Sequence, residues 1–219
     1  MERLITKQRM KKIKLFTSWD DYSEHNYKLA ELLKKYEMPA IFFIELQPRD
    51  ASMEEAHEMI KRLSEAFEIG SHTITHPMDL KLLEWNRLTY EIRDSKIEIE
   101  NLIDKEIKWF CYPRGRYNEV TISALNMSGY KYGRTTIVGA INTQTKLMRT
   151  DTTVHCFKRS EYGKKNWLNV AKEALLNPKA DYFHLWGHAW EIERDDRWGE
   201  LEELLAFIRN DKRVSKRIA

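Results

Sequence analysis

Short apolar runs alternate with segments of helical periodicity along this chain, and this alternation restricts the fold more than any other feature of the sequence. Strands that alternate with helices pack as a parallel sheet with the helices outside it, either doubly wound or closed as a barrel. We therefore expect an α/β fold with about seven parallel strands. The strand candidates are residues 13–19, 40–46, 67–71, 107–111, 130–135, 147–154 and 181–186.

The intervening segments carry the start signals and apolar stripes that are typical of helices. Ser23 is a candidate N-cap, and Ser52 with Glu55 has the spacing of a capping box. Residues 79–104 are predicted as one long helix, because residues of one buried stripe recur at alternating steps of four and three. The stripe comprises Leu88, Ile92, Ser95, Ile99 and Leu102, and the other predicted helices are residues 23–36, 51–66, 119–127, 164–176 and 197–209.

Length and composition favour a single globular domain. The chain has 219 residues, of which 42% are hydrophobic and 32% are charged, and it contains neither an internal repeat nor a linker rich in Gly, Pro or Ser. We expect one domain over residues 1–219, with its core at about 13–210. The net charge of +3 does not by itself indicate nucleic-acid binding. No nucleic-acid partner is expected, since only two small basic clusters favour one: Lys11, Lys12 and Lys14, and Lys212, Arg213, Lys216 and Arg217.

The cysteines and the apolar runs bear on the location of the protein. Cys111 and Cys156 make neither a disulfide framework nor a Cys-x-x-Cys metal motif, which fits a reducing compartment. The basic N-terminal segment is not followed by the apolar stretch of a secretory signal. No run approaches the roughly 18 apolar residues of a membrane span. These features predict a cytoplasmic protein with no membrane partner.

Polar residues follow four of the predicted strands, at the ends where parallel α/β folds bind ligands. Taken singly, an aspartate pair is commonly a turn or a helix cap, and a lone histidine is commonly a satisfied core residue. Their coincidence at equivalent strand ends predicts one shared site on one rim of the fold. The four groups are Asp20 with Asp21, His72 with His76, residues 112–118 and His188.

At these residues the chain resembles the polysaccharide deacetylase family, also called the NodB-homology or carbohydrate esterase 4 family. The family's T-F-D-D motif corresponds to residues 17–21, and its H-[ST]-x-x-H-P motif corresponds to residues 72–77. Its R-x-P-x-G motif is partly kept at 111–115, and its final L-x-H motif corresponds to residues 186–188. The order of the motifs matches over most of the chain. The resemblance implies a distorted (β/α) barrel of parallel strands with helices outside.

The resemblance implies a metal site as well. Asp21, His72 and His76 would hold one divalent metal, with zinc as the first choice and cobalt or nickel as alternatives. One carboxylate and two neutral imidazoles leave open positions on such an ion for water and for a substrate carbonyl.

The remaining family roles fall on residues beside that metal set. Asp20 would be the general base that takes a proton from the attacking water, and His188 would be the general acid that protonates the leaving group. The backbone N–H of Arg114 would help to stabilise the oxyanion. Further residues expected around the substrate and the oxyanion are Tyr112, Pro113, Gly115, Trp186 and Trp190.

One departure from the family pattern concerns the base. Cys111 stands where the family has the arginine that holds the catalytic aspartate. Asp20 must stay ionised beside Asp21, and a nearby guanidinium favours the charged form. Arg134 is the first candidate to supply it, since it would end the adjoining strand, and the alternatives are Arg114 and Arg116.

A second departure concerns the acid. The family's Asp-x-x-Asp-Trp motif, whose aspartate orients the acid histidine, has no clear match, and Asp151 or Glu191 could supply the carboxylate. His184 shares the strand alternation with His188. Gly187 is expected to open the strand into a loop after Trp186, which would leave His188 at the rim and His184 inside the barrel.

The leading hypothesis is a metal-dependent hydrolase that removes acetyl groups from an N- or O-acetylated sugar or glycan. One alternative is a related amide or ureide hydrolase of the same fold. Another is a metal- or sugar-binding protein without catalytic activity, although Asp20 is not needed for binding. The sequence does not fix the acetylated substrate, the metal or the oligomeric state, and without an export signal an intracellular glycan precursor is the more accessible substrate.

Overall fold

The structure is a computed structural model, and it describes residues 11–215. Strands and helices alternate along the chain, as the apolar pattern predicts. The strands are β1 (Ile13–Asp20), β2 (Ile41–Ile44), β3 (Glu68–Ser71), β4 (Trp109–Cys111), β5 (Tyr132–Arg134), β6 (Val154–His155), β7 (Tyr182–His188) and β8 (Val214–Ser215). The helices are α1 (His25–Lys35), α2 (Met53–Ser64), α3 (Trp85–Thr89), α4 (Ser95–Ile103), α5 (Glu119–Met127), α6 (Trp167–Leu176), α7 (Ala189–Arg194) and α8 (Trp198–Asn210).

All the strands are parallel and belong to one sheet, in the order β5-β4-β3-β2-β1-β7-β6, with β8 beside the start of β1. The sheet curls into a barrel-like form with the helices around it, which confirms the predicted fold class. The carboxyl ends of the strands meet at one rim, where Asp20 is in register with Phe43 on one side and with His188 on the other.

Residues 150–156 join the two edges of the curled sheet. Thr150 exchanges backbone hydrogen bonds with Gly133 and Thr135 on the β5 side, with N–O distances of 2.8 and 2.9 Å. Three residues later, the Thr153 amide donates to the carbonyl of His184 in β7 at 2.9 Å. One short segment, which contains the edge strand β6, therefore connects β7 with the opposite edge strand β5.

The helices cover the outer face of the sheet with their apolar sides. Helix α2 begins at a complete capping box, in which the Ser52 hydroxyl accepts from the Glu55 amide and the Glu55 carboxylate accepts from the Ser52 amide. In α8, Leu201 and Leu205 are fully buried against the core. Burial of a leucine side chain contributes about 1.5–3 kcal/mol.

The segment predicted as one helix over 79–104 is interrupted. A 3₁₀ turn (Leu80–Leu82) comes first, then α3, a π-helical turn (Tyr90–Asp94) and α4. The predicted stripe from Leu88 to Ile99 is buried all the same. The periodic pattern shows which residues face inward. It does not show the interruption, because one extra residue in a single turn leaves the pattern almost unchanged.

Two strand predictions need correction. Within 147–154 only Val154 lies in a strand, because residues 147–149 form a 3₁₀ turn whose Met148 carbonyl accepts the Tyr112 phenol. The last strand does not stop at Trp186 but continues to His188, where α7 follows directly. Gly187 is required for close packing, since a Cβ atom there would lie 2.0 Å from the Cys156 Sγ.

The predicted cap of α1 makes the expected hydrogen bond. The regular helix begins at His25, but Glu24 already has helical φ and ψ, and the Ser23 hydroxyl accepts from the His25 amide at 3.3 Å. The short helix α7 and strand β8 were not predicted.

The basic residues of the two termini belong partly to the fold. Arg213 is buried and donates to the Asp211 carboxylate and to the Leu175 carbonyl. Lys11 lies 3.7 Å from Asp181. Lys216 and Arg217 lie outside the described residues. Within residues 11–215, no helix combines the length and the apolar character needed to cross a bilayer.

Candidate active site

Three strands bring Asp20, Asp21, His72 and His188 to the carboxyl rim of the barrel. Asp20 ends β1, and Asp21 follows it with its amide bonded to the Phe43 carbonyl at 3.0 Å. His72 follows β3, and His188 ends β7. The His188 Nε2 lies 4.0 Å from the Asp20 Oδ2 and 3.8 Å from the Asp21 Oδ2, so these groups face one another across a single site.

Asp21, His72 and His76 form a cluster that could hold a metal. The Asp21 Oδ1 lies 3.4 Å from the His72 Nε2 and 3.7 Å from the His76 Nε2. One ligand atom from each residue lies within 4.8 Å of the others. The two imidazoles meet edge to face, with ring centroids 4.7 Å apart.

The donor atoms of this cluster fit a divalent cation. Among the described residues, the buried Asp21 Oδ1 has no hydrogen-bond partner, and a bare buried carboxylate oxygen is costly unless something binds it. The Asp21 Oδ2 accepts from the Trp190 indole at 3.3 Å, which orients the carboxylate. The His72 Nδ1 lies 2.9 Å from the Cys111 carbonyl, to which it can donate, leaving Nε2 free to ligate.

The backbone around this cluster is strained. Asp21, Thr73, His76 and Arg114 all have φ between 49° and 74°, the left-handed region that L-residues other than glycine rarely adopt. Such conformations persist only where the surrounding structure enforces them, and they concentrate at functional sites.

Asp20 is held by Arg134. The guanidinium of Arg134 binds both carboxylate oxygens of Asp20, and both side chains are buried. Arg134 is the register partner of Cys111 on the neighbouring strand, and the Cys111 Sγ donates to the Asp20 Oδ2 at 3.5 Å. The arginine therefore reaches Asp20 from the strand next to the one on which the family places it.

Charge decides the protonation state of Asp20. Burial alone would raise the pKa of this carboxyl, but the Arg134 guanidinium, followed by His72 and His188, holds the pKa below its usual range. The cation is itself enclosed by aromatic rings, since its Cζ lies 4.5 Å from the Trp186 ring and 5.4 Å from the Phe43 ring.

His188 is paired with Glu191 at the start of α7. The His188 Nδ1 lies 2.6 Å from the Glu191 Oε2, and the same oxygen lies 3.1 Å from the His155 Nε2. Burial would lower the pKa of His188, but the Glu191 carboxylate, then Asp21 and Asp20, raise it above the ordinary value. His155 differs, because burial lowers its pKa.

His184 has a different environment from His188 on the same strand. It is fully buried, its Nδ1 lies 2.9 Å from the Tyr182 hydroxyl, and its Nε2 lies 2.8 Å from the Ser18 hydroxyl. Burial, and then the positive charge of Arg134, lowers its pKa to about 3. A neutral imidazole with both nitrogens engaged is a core residue.

The alternative partners named from sequence lie elsewhere. The Asp151 carboxylate accepts from the Thr135 hydroxyl at 2.5 Å, so Glu191 and not Asp151 contacts His188. Arg116 donates to the Met78 carbonyl at 3.3 Å and does not reach Asp20. Arg114 is exposed beside the metal cluster, where its charge helps to lower the pKa of His76, after burial and His72.

Of the 112–115 segment, only Arg114 lines the cleft beside the metal cluster. Tyr112 is fully buried, stacks on Tyr117 at 4.3 Å and donates its phenol to the Met148 carbonyl, which prevents direct side-chain contact with a ligand. Pro113 is buried at the start of a 3₁₀ turn. Gly115 has φ of 67°, and a Cβ atom there would lie 2.2 Å from the Thr136 Oγ1.

The two tryptophans differ in exposure. Trp190 is 36% exposed and lines a cleft of about 680 Å³ together with Asp21, His76 and Arg114. Trp186 is buried, and its ring stacks on His155 with centroids 4.0 Å apart. Trp190 can therefore meet a ligand in the cleft, whereas Trp186 supports the residues behind it.

Sequence reasoning missed two residues of this rim. His155 ends β6, and Glu45 follows β2 and accepts from the Tyr22 amide at 2.9 Å. Burial, and then the charge of Asp21, raises the pKa of Glu45 to about 7. Both residues obey the rule that found the others, since each lies at the carboxyl end of a parallel strand.

Fold and rim together define a class: parallel barrel proteins with a carboxylate–imidazole cluster flanked by a second aspartate and a further histidine. The sequence model of the polysaccharide deacetylase family matches residues 7–133, which is more than half of the chain. The chain therefore belongs to the polysaccharide deacetylase family.

Individual relatives agree with that assignment. YxkH of Bacillus subtilis (strain 168), a polysaccharide deacetylase candidate, is 33% identical over 135 residues, which cover 61% of this chain and 48% of YxkH. The chain thus spans about half the length of this relative.

Solved structures share the fold. A polysaccharide deacetylase candidate from Mycobacterium smegmatis aligns with a TM-score of 0.71 at 14% identity, covering 96% of this chain and 88% of that one. BA3943 of Bacillus anthracis, a pseudoenzyme of carbohydrate esterase family 4, aligns with a TM-score of 0.59 at 16% identity, covering 90% of this chain and 62% of its own.

Proposed function

We propose that this protein is a metal-dependent hydrolase that removes acetyl groups from an N- or O-acetylated sugar or glycan. The observation that carries the proposal is the position of His188, whose Nε2 lies 4.0 Å from Asp20 and 3.8 Å from Asp21. A candidate base, a candidate acid and a candidate metal ligand thus face the same small volume, as hydrolysis at one carbonyl requires.

Asp21, His72 and His76 would hold the metal, with zinc as the first choice and cobalt or nickel as alternatives. When bound, a divalent ion supplies a Lewis acid that polarises a carbonyl and lowers the pKa of water. Two imidazoles and one carboxylate are a common ligand set for such an ion in hydrolases. Trp190 and Cys111 would hold the ligands in position, through the Asp21 Oδ2 and the His72 Nδ1.

Asp20 would act as the general base. Its lowered pKa keeps the carboxylate ionised at neutral pH, ready to accept a proton from the attacking water. Arg134 keeps the carboxylate oriented towards the site through both oxygens. Arg134 would therefore act through Asp20 and not on the substrate.

His188 would act as the general acid. Its raised pKa favours the protonated imidazole, and its Nε2 lies 4.0 Å from the Asp20 carboxylate. A proton on Nε2 can be donated to the leaving amine or alcohol as the carbon–nitrogen or carbon–oxygen bond breaks. Glu191 would accept from Nδ1 and hold the ring.

Two further features would serve the substrate. The Arg114 backbone N–H would stabilise the oxyanion, and the exposed face of Trp190 would pack against the acetyl methyl or a sugar ring. Trp190 stands beside the Asp21 carboxylate, so a group packed on it would have its carbonyl near the metal ligands.

A metal- or sugar-binding protein without activity is the second candidate, and the fold likeness to a pseudoenzyme favours it. Asp20 argues against it, because Arg134 holds this carboxylate beside the Asp21–His72–His76 cluster although that ligand set does not need it. The ureide alternative depended on the missing family arginine, and Arg134 supplies a guanidinium at Asp20.

The test is a metal analysis of the purified protein combined with acetate release from N- and O-acetylated oligosaccharides, with a cyclic ureide as a further arm. We expect one divalent metal per chain and acetate release that a chelator abolishes and added zinc restores. Stoichiometric metal with no hydrolysis of any substrate would show that the chain is a binding protein without activity. Hydrolysis of the ureide alone would show that it is an amide or ureide hydrolase.

A further inference from the structure

Glu91 is a fully buried carboxylate that lies outside the catalytic groups and contacts the loop between the two histidines of the metal cluster. Its Oε2 accepts from the backbone amides of Ile74 and Thr75, each at 2.9 Å. Its Oε1 accepts from the Thr75 hydroxyl at 2.6 Å. Two successive amides directed at one oxygen form a small anion-binding concavity, and here a side chain of the same protein fills it.

The π-helical turn Tyr90–Asp94 brings this carboxylate to the loop. In the widened turn Glu91 and Ile92 are both fully buried. The Ile92 carbonyl accepts from the hydroxyls of Ser95 and Tyr130, at 3.0 and 3.1 Å. Insertions of this kind often occur near functional sites.

The charge of Glu91 is balanced locally. The Arg87 guanidinium, one turn earlier and half exposed, lies 2.7 Å from the Glu91 Oε1. It also donates to the Thr75 hydroxyl at 3.2 Å. A buried carboxylate with a cation and three donors is satisfied, so it can hold the loop without a large desolvation penalty.

The loop needs such support because it is strained. Thr73 and His76 have φ of 74° and 49°. On its other side the loop is bonded to the chain after β2, where the Gln47 amide donates to the Ile74 carbonyl at 2.7 Å. Glu91 thus supplies the acceptors for the amides, while residues after β2 supply donors for the carbonyls.

We propose that Glu91 is a positioning residue that sets the geometry of the His72–His76 loop and thereby the affinity of the metal site. The inference rests on the metal-binding function proposed above. It assigns a task to the π-helical turn, which carries the Glu91 carboxylate that contacts the loop.

The test compares Glu91→Gln with Glu100→Gln. Glu100 is a matched control because its carboxylate, on α4, also accepts a backbone amide, that of Ile107 at 2.9 Å, and pairs with Lys96. Zinc affinity is measured by chelator competition, and the ligand field is measured by the visible spectrum of the cobalt-substituted protein. Amide exchange at Ile74 and Thr75 is followed in the metal-free protein, and this readout does not depend on activity.

We expect Glu91→Gln to weaken zinc binding by about 10- to 100-fold, as loss of a residue that orients metal ligands does in other metal sites. The cobalt spectrum should change, and the amides of Ile74 and Thr75 should exchange faster. Glu100→Gln should leave all three readouts at the wild-type level.

Wild-type affinity and an unchanged cobalt spectrum in Glu91→Gln would overturn the inference, and so would an equal loss in Glu100→Gln. If Glu91→Gln does not fold, Thr75→Val decides, because it removes the hydroxyl between Oε1 and Arg87 but keeps the Glu91 carboxylate and both backbone amides. One hydrogen bond corresponds to a loss of about 2- to 10-fold in zinc affinity, and no loss would count against the role. Wild-type protein without metal would refute the proposed function itself.

Discussion

Asp20 with Arg134 and His188 with Glu191 are two carboxylate–cation pairs at one rim, but they are built differently. Asp20 and Arg134 come from β1 and β5, 114 residues apart in the chain, and both are buried. His188 and Glu191 are three residues apart at the junction of β7 and α7, and the His188 side chain is 17% exposed. One pair depends on the whole barrel, and the other depends on a single turn.

This contrast matches the tasks proposed for the two groups. A base that must remain ionised between turnovers benefits from a fixed cation in a closed environment. An acid that loses and regains its proton benefits from contact with water and from a partner that can adjust. The difference indicates that the position of Asp20 depends on contacts across the whole barrel, whereas the position of His188 depends on one local turn.

The largest effect is expected from removing the proposed metal ligands, because both pairs lie beside the metal cluster. The double variant His72→Ala, His76→Ala deletes two of three protein ligands, which should abolish metal binding and reduce acetate release to the uncatalysed level. Metal content by mass spectrometry and acetate release check this. Stoichiometric metal in the double variant would show that the ligand set is wrong.

Asp20→Asn breaks the base side alone. It keeps the shape and most of the hydrogen bonding of the carboxylate, so metal should stay while turnover falls by about 10²–10⁴-fold. Asp151→Asn is the matched control, since that carboxylate binds the Thr135 hydroxyl and does not contact His188. Equal turnover for Asp20→Asn and the wild type would mean that another group takes the proton.

Arg134→Met tests how the base is held. Removing one partner of a buried ion pair leaves an uncompensated charge and lowers the free energy of unfolding by about 3–5 kcal/mol. Urea denaturation measures this loss, and Asp20→Asn in the same chain should recover part of it. Arg116→Met, on the exposed rim, should change stability by less than about 0.5 kcal/mol. A stable single Arg134→Met variant would contradict the closed pair.

His188→Ala breaks the acid side. We expect retained metal and a turnover loss of about 10²-fold for acetamides, with a smaller loss for an aryl acetate whose leaving group needs no proton. His184→Ala should not show this dependence on the leaving group, because both of its ring nitrogens are engaged in the core. The reverse result would identify His184 as the acid.

The smallest effect is expected from Glu191→Gln, which alters the acid without removing it. The Glu191 carboxylate helps to raise the pKa of His188, so its loss lowers that pKa. The alkaline limb of the pH–rate profile, where His188 loses its proton, should move to lower pH, while the acidic limb stays in place. Turnover at neutral pH should fall by about 10-fold. An unmoved alkaline limb would separate Glu191 from the acid.

The strand order along the chain, the fold class and the residues at the rim could be predicted from the sequence, because apolar runs and strand-end polar residues are local signals. Arg134 could be named as a neighbour of Asp20 because adjoining parallel strands place their ends side by side. The predicted alternatives Arg114 and Arg116 lie on the exposed side of the rim, a difference that no local signal records.

The other features of the site could not be predicted, because they depend on contacts between segments that are distant in the sequence. His155 ends a strand of only two residues, too short to show a period, so its place beside Glu191 was hidden. The π-helical turn was hidden for a related reason, since Leu88 and Ile99 stay buried on either side of the inserted residue. In the sequence Glu91 resembles an exposed charged residue of a helix, whereas in the structure it lies in the π-helical turn and is fully buried.

The segment 150–156 closes the barrel, and this closure affects how the candidate site responds to heat. On one side the segment forms hydrogen bonds with the residues next to Arg134. On the other side it pairs with β7, the strand that carries His188. A thermal fluctuation that breaks the hydrogen bonds of this short segment would separate the β5 side, with Arg134, from the β7 side, with His188. It would also admit water to the buried Asp20–Arg134 ion pair. On heating, the geometry of the candidate site would then be lost before the fold.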